Sequence, residues 1–456
     1  MDRRIALIIA TIASFVTPFM ASSVSIALPA IGREFGMTAV ALGWVPTAYL
    51  LAAAMFLVPF GRIADTYGRK RVFLAGMAFH TVSSILCAAA PSAALLIAFR
   101  IAQGIGGAMI FSTSIAIVTS VFPAGERGRA LGLATAATYL GLSLGPVLGG
   151  LLTQHLGWRS IFLATVPLGL LGVALILWKL HGEWADSRGE QFDLTGSILS
   201  ALSLAAIMYG FSRLPSPAGA WLVLIGVAGI AAFVFWERRA PSPLIHMDLF
   251  ARNRVFAFSN LAALINYSAS NAVTFLMSLY LQYIKALDPQ NAGLILVAQP
   301  AVMAALSPLA GRLSDRIESR IVASTGMAIT GAALLMLVFV GPITTLAAIV
   351  AILMVLGLGF ALFSAPNTNA VMGSVERPFY GVASATLATM RMTGQMLSMG
   401  IAMLIFAVRM GAVRITPESH GAFLMSFRSA FIIFSILSAA GVFASLARGT
   451  VRGRSA

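Results

Sequence analysis

Two arginines, Arg100 and Arg391, stand inside long apolar runs, and no aspartate or glutamate lies in the middle of any such run. A guanidinium at the centre of a bilayer costs about 2.5–3.5 kcal/mol on insertion scales, so each must face a polar interior and find partners there. Two roles suit such a residue. It can grip a substrate carboxylate or phosphate through parallel hydrogen bonds, or it can hold backbone carbonyls of its own fold. Gln103 and Gln395, within about one helical turn of the two arginines, are their nearest polar companions. Arg391 could also lie towards the cytoplasmic end of its run. The Asp and Glu residues form no catalytic pair, the five histidines and one cysteine show no metal-ligand spacing, and no nucleotide-binding loop is present. No metal, cofactor or enzymatic activity is therefore expected. His80, the one imidazole well inside an apolar run, reads as a packed residue, and a single Cys87 excludes an internal disulfide.

A second polar pattern follows residue 255. Asn260, Tyr267, Asn271, Thr274 and Ser278 step by 7, 4, 3 and 4, which is one helical face. Such a stripe does not face lipid; it lines a water-filled pathway or a helix contact. Thr11, Ser14, Ser22 and Ser25 form a weaker version near the start.

The elements that must position these residues are membrane spans. The chain has 456 residues, 59% hydrophobic and only 10% charged, against about 25% charged in an average soluble domain. Its mean hydropathy is +0.92. Apolar runs of roughly 20 residues give about fourteen spans, at 5–30, 42–60, 72–91, 94–120, 130–153, 160–180, 194–212, 219–236, 255–284, 291–310, 320–340, 343–365, 380–408 and 422–447. The start, Met1-Asp2-Arg3-Arg4 before a long apolar run, reads as an uncleaved first helix. With both termini cytoplasmic, 21 of the 30 Lys and Arg residues fall inside, seven outside and two within spans. The net charge of +15 is thus topology, and no nucleic-acid partner is expected.

The chain also repeats itself. Gly61-Arg62-Ile63-Ala64-Asp65 and Gly311-Arg312-Leu313-Ser314-Asp315 are offset by 250, as are Glu126-Arg127 and Glu376-Arg377, while Gly104-Ile105-Gly106 and Gly357-Leu358-Gly359 are offset by 253. The expected fold is an all-α integral membrane protein of fourteen transmembrane helices: two pseudo-symmetric six-helix bundles, 1–180 and 255–456, with an accessory pair and its cytoplasmic linkers at 181–254. Parallel halves around a midplane site are a transporter architecture.

Three motifs resemble those of the major facilitator superfamily. The segment from Gly61 to Arg71, with Gly68 and Arg69 at its turn, looks like its loop signature. Arg100-Ile101-Ala102-Gln103-Gly104-Ile105-Gly106-Gly107 looks like its fourth-helix motif, and Gly141-Leu142-Ser143-Leu144-Gly145-Pro146-Val147-Leu148-Gly149-Gly150 like the fifth-helix signature of its antiporters. Fourteen spans with Gly157-Trp158-Arg159 after the fifth resemble the drug:proton antiporter branch of the EmrB/QacA type. The resemblance implies export of amphipathic small molecules in exchange for protons, by a monomer in the cell (plasma or inner) membrane. It assigns Gly61, Arg62, Asp65, Gly68, Arg69, Gly311, Arg312 and Asp315 to a cytoplasmic gate, and it places Arg100 in a central cavity near Gln103. The basic residues alone would satisfy an orientation anchor at anionic headgroups, but Asp65 and its repeat Asp315 favour the gate. Gly141, Gly145 and Gly149 make a smooth helix face beside Pro146, which favours close packing.

The sequence departs from that branch at one point. Its members usually carry a first-helix aspartate before Ala-Leu-Pro; aligned back from Ala27-Leu28-Pro29, that place holds Met20. A carboxylate is the usual proton carrier, and it also pairs with cationic drugs. Two buried arginines without a buried acid suit an anionic or neutral aromatic substrate instead. A facilitator or symporter for a nutrient such as riboflavin is therefore the alternative.

Overall fold

The computed structural model describes residues 3–180, 182–185, 192–245, 247–376 and 380–449; the side chains of 124, 125, 127–129 and Asp315 lie outside the described residues, as does Arg377. The first bundle consists of α1 (Arg3–Phe35), α2 (Ala39–Tyr67), α3 (Arg69–Ala88), α4 (Ala93–Val121), α5 (Ala124–Leu156) and α6 (Arg159–Trp178). An accessory hairpin, α7 (Leu194–Arg213) and α8 (Pro217–Glu237), follows, then a short α9 (Met247–Arg252). The second bundle contains α10 (Arg254–Ser270), α11 (Ala272–Leu279) with a π turn at Tyr280–Ile284, α12 (Pro289–Leu296), α13 (Ala298–Arg316), α14 (Ser319–Val338), α15 (Leu346–Gly373), α16 (Tyr380–Arg409) and α17 (His420–Ala447). Among the described residues there is no strand.

Among the described residues, thirteen helices are long and apolar enough to cross a membrane. The fourteenth expected span, 255–284, is present in two pieces because its hydrogen-bond ladder is interrupted at Asn271. Helix α16 repairs the interruption: its Ser398 Oγ accepts the Ala272 N–H at 2.9 Å, and its backbone Gln395 O accepts Asn271 Nδ2 at 3.4 Å. Such repair is what lets non-ideal backbone persist at membrane depth. The next span is interrupted at Val297, between α12 and α13.

The motif at 61–65 is not a loop. Helix α2 continues through it to Tyr67, and Gly68 alone makes the turn, at φ +120°. The Glu183 carboxyl fills the space where a side chain at Gly68 would stand. It accepts the Lys70 N–H at 2.8 Å, which sets an anion at the first turn of α3.

The repeat extends beyond its sequence motifs to the way helices touch. A Cβ on Gly104 would lie 2.4 Å from Tyr49 O, and one on Gly357 would lie 2.4 Å from Gln299 O. A Cβ on Gly106 would lie 2.8 Å from His80 N, and one on Gly359 2.7 Å from Thr330 N. A Cβ on Gly141 would lie 2.5 Å from Phe15 O, and one on Gly394 2.6 Å from Leu264 O. Each α2–α4, α3–α4 and α1–α5 crossing thus has its counterpart in α13–α15, α14–α15 and α10–α16. The two bundles are copies in packing as well as in sequence.

The accessory hairpin is not confined to one bundle. Helix α7 packs on both α2 and α16: Tyr209 lies 6.4 Å from the Trp44 ring, and Met208 and Phe211 press on Gly400.

Overpacking a core contact costs about 1–3 kcal/mol. Gly104→Val should therefore lower the thermal midpoint of the detergent-purified protein by several degrees. Gly132→Ala should leave it unchanged, since a Cβ there meets nothing within 4 Å. Equal midpoints for the two variants would show that the α2–α4 approach does not hold the bundle.

Candidate functional site

The bundles are sewn together at the end away from Arg3, Arg62 and Arg69. Ser278 Oγ donates to Ser25 O at 2.6 Å and Gln282 Nε2 to Ile26 O at 2.9 Å. Ala39 N donates to Val413 O at 3.2 Å, and His155 pairs with Gln290 at 3.2 Å. Backbone meets backbone where Gly150 abuts Pro289 O and Gly293 abuts Pro146 O. At the basic end, Gly132 of α5 and Gly311 of α13 face open space.

Between the two ends lies a polar and aromatic group built on Arg391. Eleven residues from the start of α16, it sits about 17 Å into the helix. Its Nη2 donates to Thr368 Oγ1 of α15, and its guanidinium lies 5.7 Å from the Tyr267 ring centroid. Tyr267 in turn meets Phe360 edge to face at 5.2 Å. Tyr139 of α5 packs from the other bundle against the buried cluster that contains Tyr267 and Phe360. Arg391 Nε has no hydrogen-bond partner among the described residues. A planar cation with a donor to spare beside aromatic faces can bind an acidic or aromatic group from two sides. Thr368, Phe360 and Tyr139 were not picked out from sequence, because two are single residues in apolar runs and Thr368 lies outside the polar stripe.

Arg100, expected in a central cavity, is instead inside its own bundle. It is 1% exposed. Its Nε donates to Val45 O at 3.1 Å, its Nη1 donates to Gln103 Oε1, and its guanidinium covers the Tyr49 ring at 4.6 Å. Gln103 passes the chain on to Ser84 Oγ at 2.7 Å. These contacts join α2, α3 and α4, and a central cavity would leave the side chain more exposed than this. His80 packs edge-on to Tyr49 in the same interior.

The stripe on the ninth span does not line one pathway. Asn260 turns back to Phe256 O of its own helix. Tyr267 joins Arg391, Asn271 bonds to Gln395 O, and Ser278 bonds across to Ser25 O. Thr274 is half-buried between the last two. The interruption at Asn271 breaks the regular ladder that the spacing assumed.

At the basic end Asp65 receives Arg69 Nε at 2.8 Å, and Arg69 Nη1 reaches Ser120 Oγ of α4 at 2.7 Å. Arg62 Nη2 donates to Pro243 O in the segment after α8 at 2.7 Å. In the second copy, Asn369 Nδ2 donates to Ser314 Oγ at 2.7 Å, and Arg312 is exposed. On α5, Gly141, Gly145 and Gly149 face α1: Ser23 Oγ donates to Gly145 O at 2.9 Å, and Ser22 and Ser23 fill the space against Gly145 and Gly149. Gly150 and Pro146 belong to the seam between bundles. The Trp158-Arg159 pair clamps the far end of α1, since Trp158 Nε1 and Arg159 Nη1 both donate to Glu34 Oε2, at 2.7 and 2.8 Å.

Lysine at position 100 keeps the charge but loses the planar contact and the fork. Arg100→Lys should lower the thermal midpoint of the purified protein and leave its order of substrate preference unchanged. A changed preference at wild-type stability would return Arg100 to the binding site.

The sequence matches the family described as Major Facilitator Superfamily over residues 10–236 and 259–455. It is 30% identical over 390 residues to the riboflavin transporter RibZ of Clostridioides difficile (strain 630), covering 85% of this chain and 84% of that protein. It is 34% identical over 405 residues to the multidrug resistance protein Stp of Mycobacterium tuberculosis (strain CDC 1551 / Oshkosh), covering 87% of this chain and 74% of that protein. Its fold superimposes on the crystal structure of the peptide transporter POT in complex with sulfate with a TM-score of 0.71 at 15% identity, over 95% of this chain and 94% of that one. Two glycine-matched bundles, membrane-length helices and a family match along both halves lead to one assignment: the chain belongs to the major facilitator superfamily, a membrane transporter and not an enzyme.

Proposed function

We propose that this transporter exports amphipathic, drug-like small molecules in exchange for protons, as a monomer of the fourteen-helix EmrB/QacA type in the plasma or inner membrane. Both termini are cytoplasmic in this reading, by the distribution of Lys and Arg. Residues 1–180 and 255–456 are the two moving units, and 181–254 carries the accessory pair and its linkers. The observation that carries the reading is the seam itself. Its bonds, Ser278 to Ser25 and Gln282 to Ile26, gather at the end opposite the basic segments, so this state is closed to the outside and open to the cytoplasm. The Arg391–Tyr267–Phe360 group lies in the path between the two sides. Gly61, Arg62, Asp65, Gly68 and Arg69, with their counterparts Gly311, Arg312 and Asp315, act where the cytoplasmic ends must meet in the opposite state. Alternating access then needs the seam to part and the basic ends to close.

Arg391 favours a second reading. A guanidinium with a free donor beside an aromatic face suits an anionic or flat aromatic solute, and a relative carries the name riboflavin transporter. Facilitated or symported entry of such a nutrient would use the same site.

Liposomes holding purified protein and an internal pH dye separate the two. Under the export reading, an ethidium-like cation drives proton movement across the membrane. Flavin entry with no response to the cation would replace it by the nutrient reading. Under either, Arg391→Lys should reduce transport of acidic aromatics at least tenfold with little effect on the thermal midpoint, because it loses the two-pronged grip.

The seam has its own test. Ser25→Cys/Ser278→Cys, cross-linked by a short bifunctional thiol reagent whose link is cleaved by reductant, should stop transport, and reductant should restore it. Wild-type transport by the cross-linked protein would rule out opening at this seam.

A further inference from the structure

The first bundle's gate residue Arg62 is tied to a buried carboxylate on the accessory hairpin. Glu237, the last residue of α8, is 3% exposed. Its Oε2 accepts the Ile245 N–H at 3.0 Å, while Oε1 is buried with no hydrogen-bond partner among the described residues. A second carboxylate stands beside it. A Cβ built on Gly196 would lie 2.3 Å from Asp193 Oδ2 and 2.8 Å from Glu237 Oε1, which confines the two oxygens to about 5 Å of each other. Asp193 caps α7 by accepting the Gly196 N–H at 2.9 Å, and it accepts Trp236 Nε1 at 3.0 Å. Two carboxylates so close cannot both ionise cheaply in a buried site.

We infer that Glu237 is a proton-binding site of this transporter, and that its protonation state sets the hold of the 238–245 segment on the cytoplasmic end of α2. The mechanical link is continuous. From Glu237 the segment runs to Ile245, whose N–H it holds, and passes Pro243, whose carbonyl accepts Arg62 Nη2 at 2.7 Å. Leu244 and Ile245 are buried with Phe233 against Val58, one turn before Arg62 on α2. A neutral Glu237 leaves this plug seated. When the proton leaves for the solvent at the basic end, a second negative charge stands beside Asp193, with Arg62 the cation that answers it. The nearest relief is a shift of the segment or a turn of the Arg62 guanidinium towards the new charge, and either move alters the gate helix. The other charged groups facing this corner are Asp65, paired with Arg69 on α2, and the exposed Arg238, Arg239 and Asp248. His246 lies outside the described residues. This site stands where the mid-span acids are missing, and it rests on proton exchange only for its part in coupling, not for binding the proton.

The test reads the proton directly. Infrared difference spectra of the purified wild type, titrated through neutral pH, should show a protonated carboxyl band that disappears in Glu237→Gln. Asp193→Asn keeps the helix cap but removes the neighbouring charge, so the midpoint of that band should move to lower pH by about one unit. The cytoplasmic-pH profile of transport should flatten in Glu237→Gln and shift the same way in Asp193→Asn. A band that survives Glu237→Gln, or a midpoint that does not move to lower pH in Asp193→Asn, would overturn the assignment. If the wild type shows the band yet moves no protons with substrate, exchange fails while the proton site stands.

Discussion

A bilayer removes the main reward for burying apolar side chains, because lipid tails are as apolar as leucine. What holds these helices is backbone brought so near to backbone that a methyl group would not fit. Gly104 on Tyr49 O, Gly106 on His80 N and Gly141 on Phe15 O fix the first bundle; Gly357, Gly359 and Gly394 fix the second in the same way. Small interfaces also leave polar side chains close enough to bridge helices, as Ser23 does to Gly145 O. Once each bundle is rigid on this basis, freedom is left mainly between bundles. That is the freedom a rocking transporter uses.

The same close approach decides what the buried arginines do. Arg100 is gripped by α2, α3 and α4 and serves as an internal strut. At the end of the second bundle, Arg448 is fully buried and donates to Asn367 Oδ1 at 3.1 Å and to Ser319 O, which ties α14, α15 and α17. Burial pushes its pKa down to about 10, so it still carries its proton at neutral pH. Arg391, by contrast, is only half-buried and stands near the mid-height of the helices, its guanidinium 5.7 Å from the Tyr267 ring centroid. The three arginines share a residue type, and burial with local partners sets Arg100 and Arg448 apart from the half-buried Arg391.

Much of this was legible in the sequence, and what was not has physical causes. Span positions follow from hydropathy because each helix needs a fixed length of apolar chain. The repeat is visible in sequence at Gly61 and Gly311, and at Gly104 and Gly357, and the second pair answers to the same backbone contact in each bundle. Gly141 and Gly394 obey the same rule, yet their neighbours differ enough to hide the match. Arg100 was placed in the cavity by analogy, and nothing in its own spacing could show that Val45 O and Tyr49 stood ready to take it. The interruption at Asn271 depends on Ser398, more than a hundred residues away. Glu237 stands in sequence as a charge at the end of an apolar run, and its burial is created by the fold-back of residues 238–245.

Equivalent positions in the two bundles carry different chemistry, and that difference divides the labour. Tyr49, His80, Arg100 and Gln103 of the first bundle correspond by the same offsets to Gln299, Thr330, Leu353 and Leu356 of the second. The Arg100–Gln103 pair of the first bundle is therefore missing from its copy, whose buried cation is Arg448 at the end of α17. The second bundle instead has two interrupted spans, at Asn271 and Val297, and the Arg391 group beside them. Proline 18 on α1 stands where Tyr267 stands on α10, so the aromatic partner of Arg391 has no twin either. An ancestral symmetry thus persists in the backbone contacts that build each bundle, while the side chains have diverged: the first half carries the Asp65–Arg69 pair and the second the Arg391–Thr368–Tyr267 group.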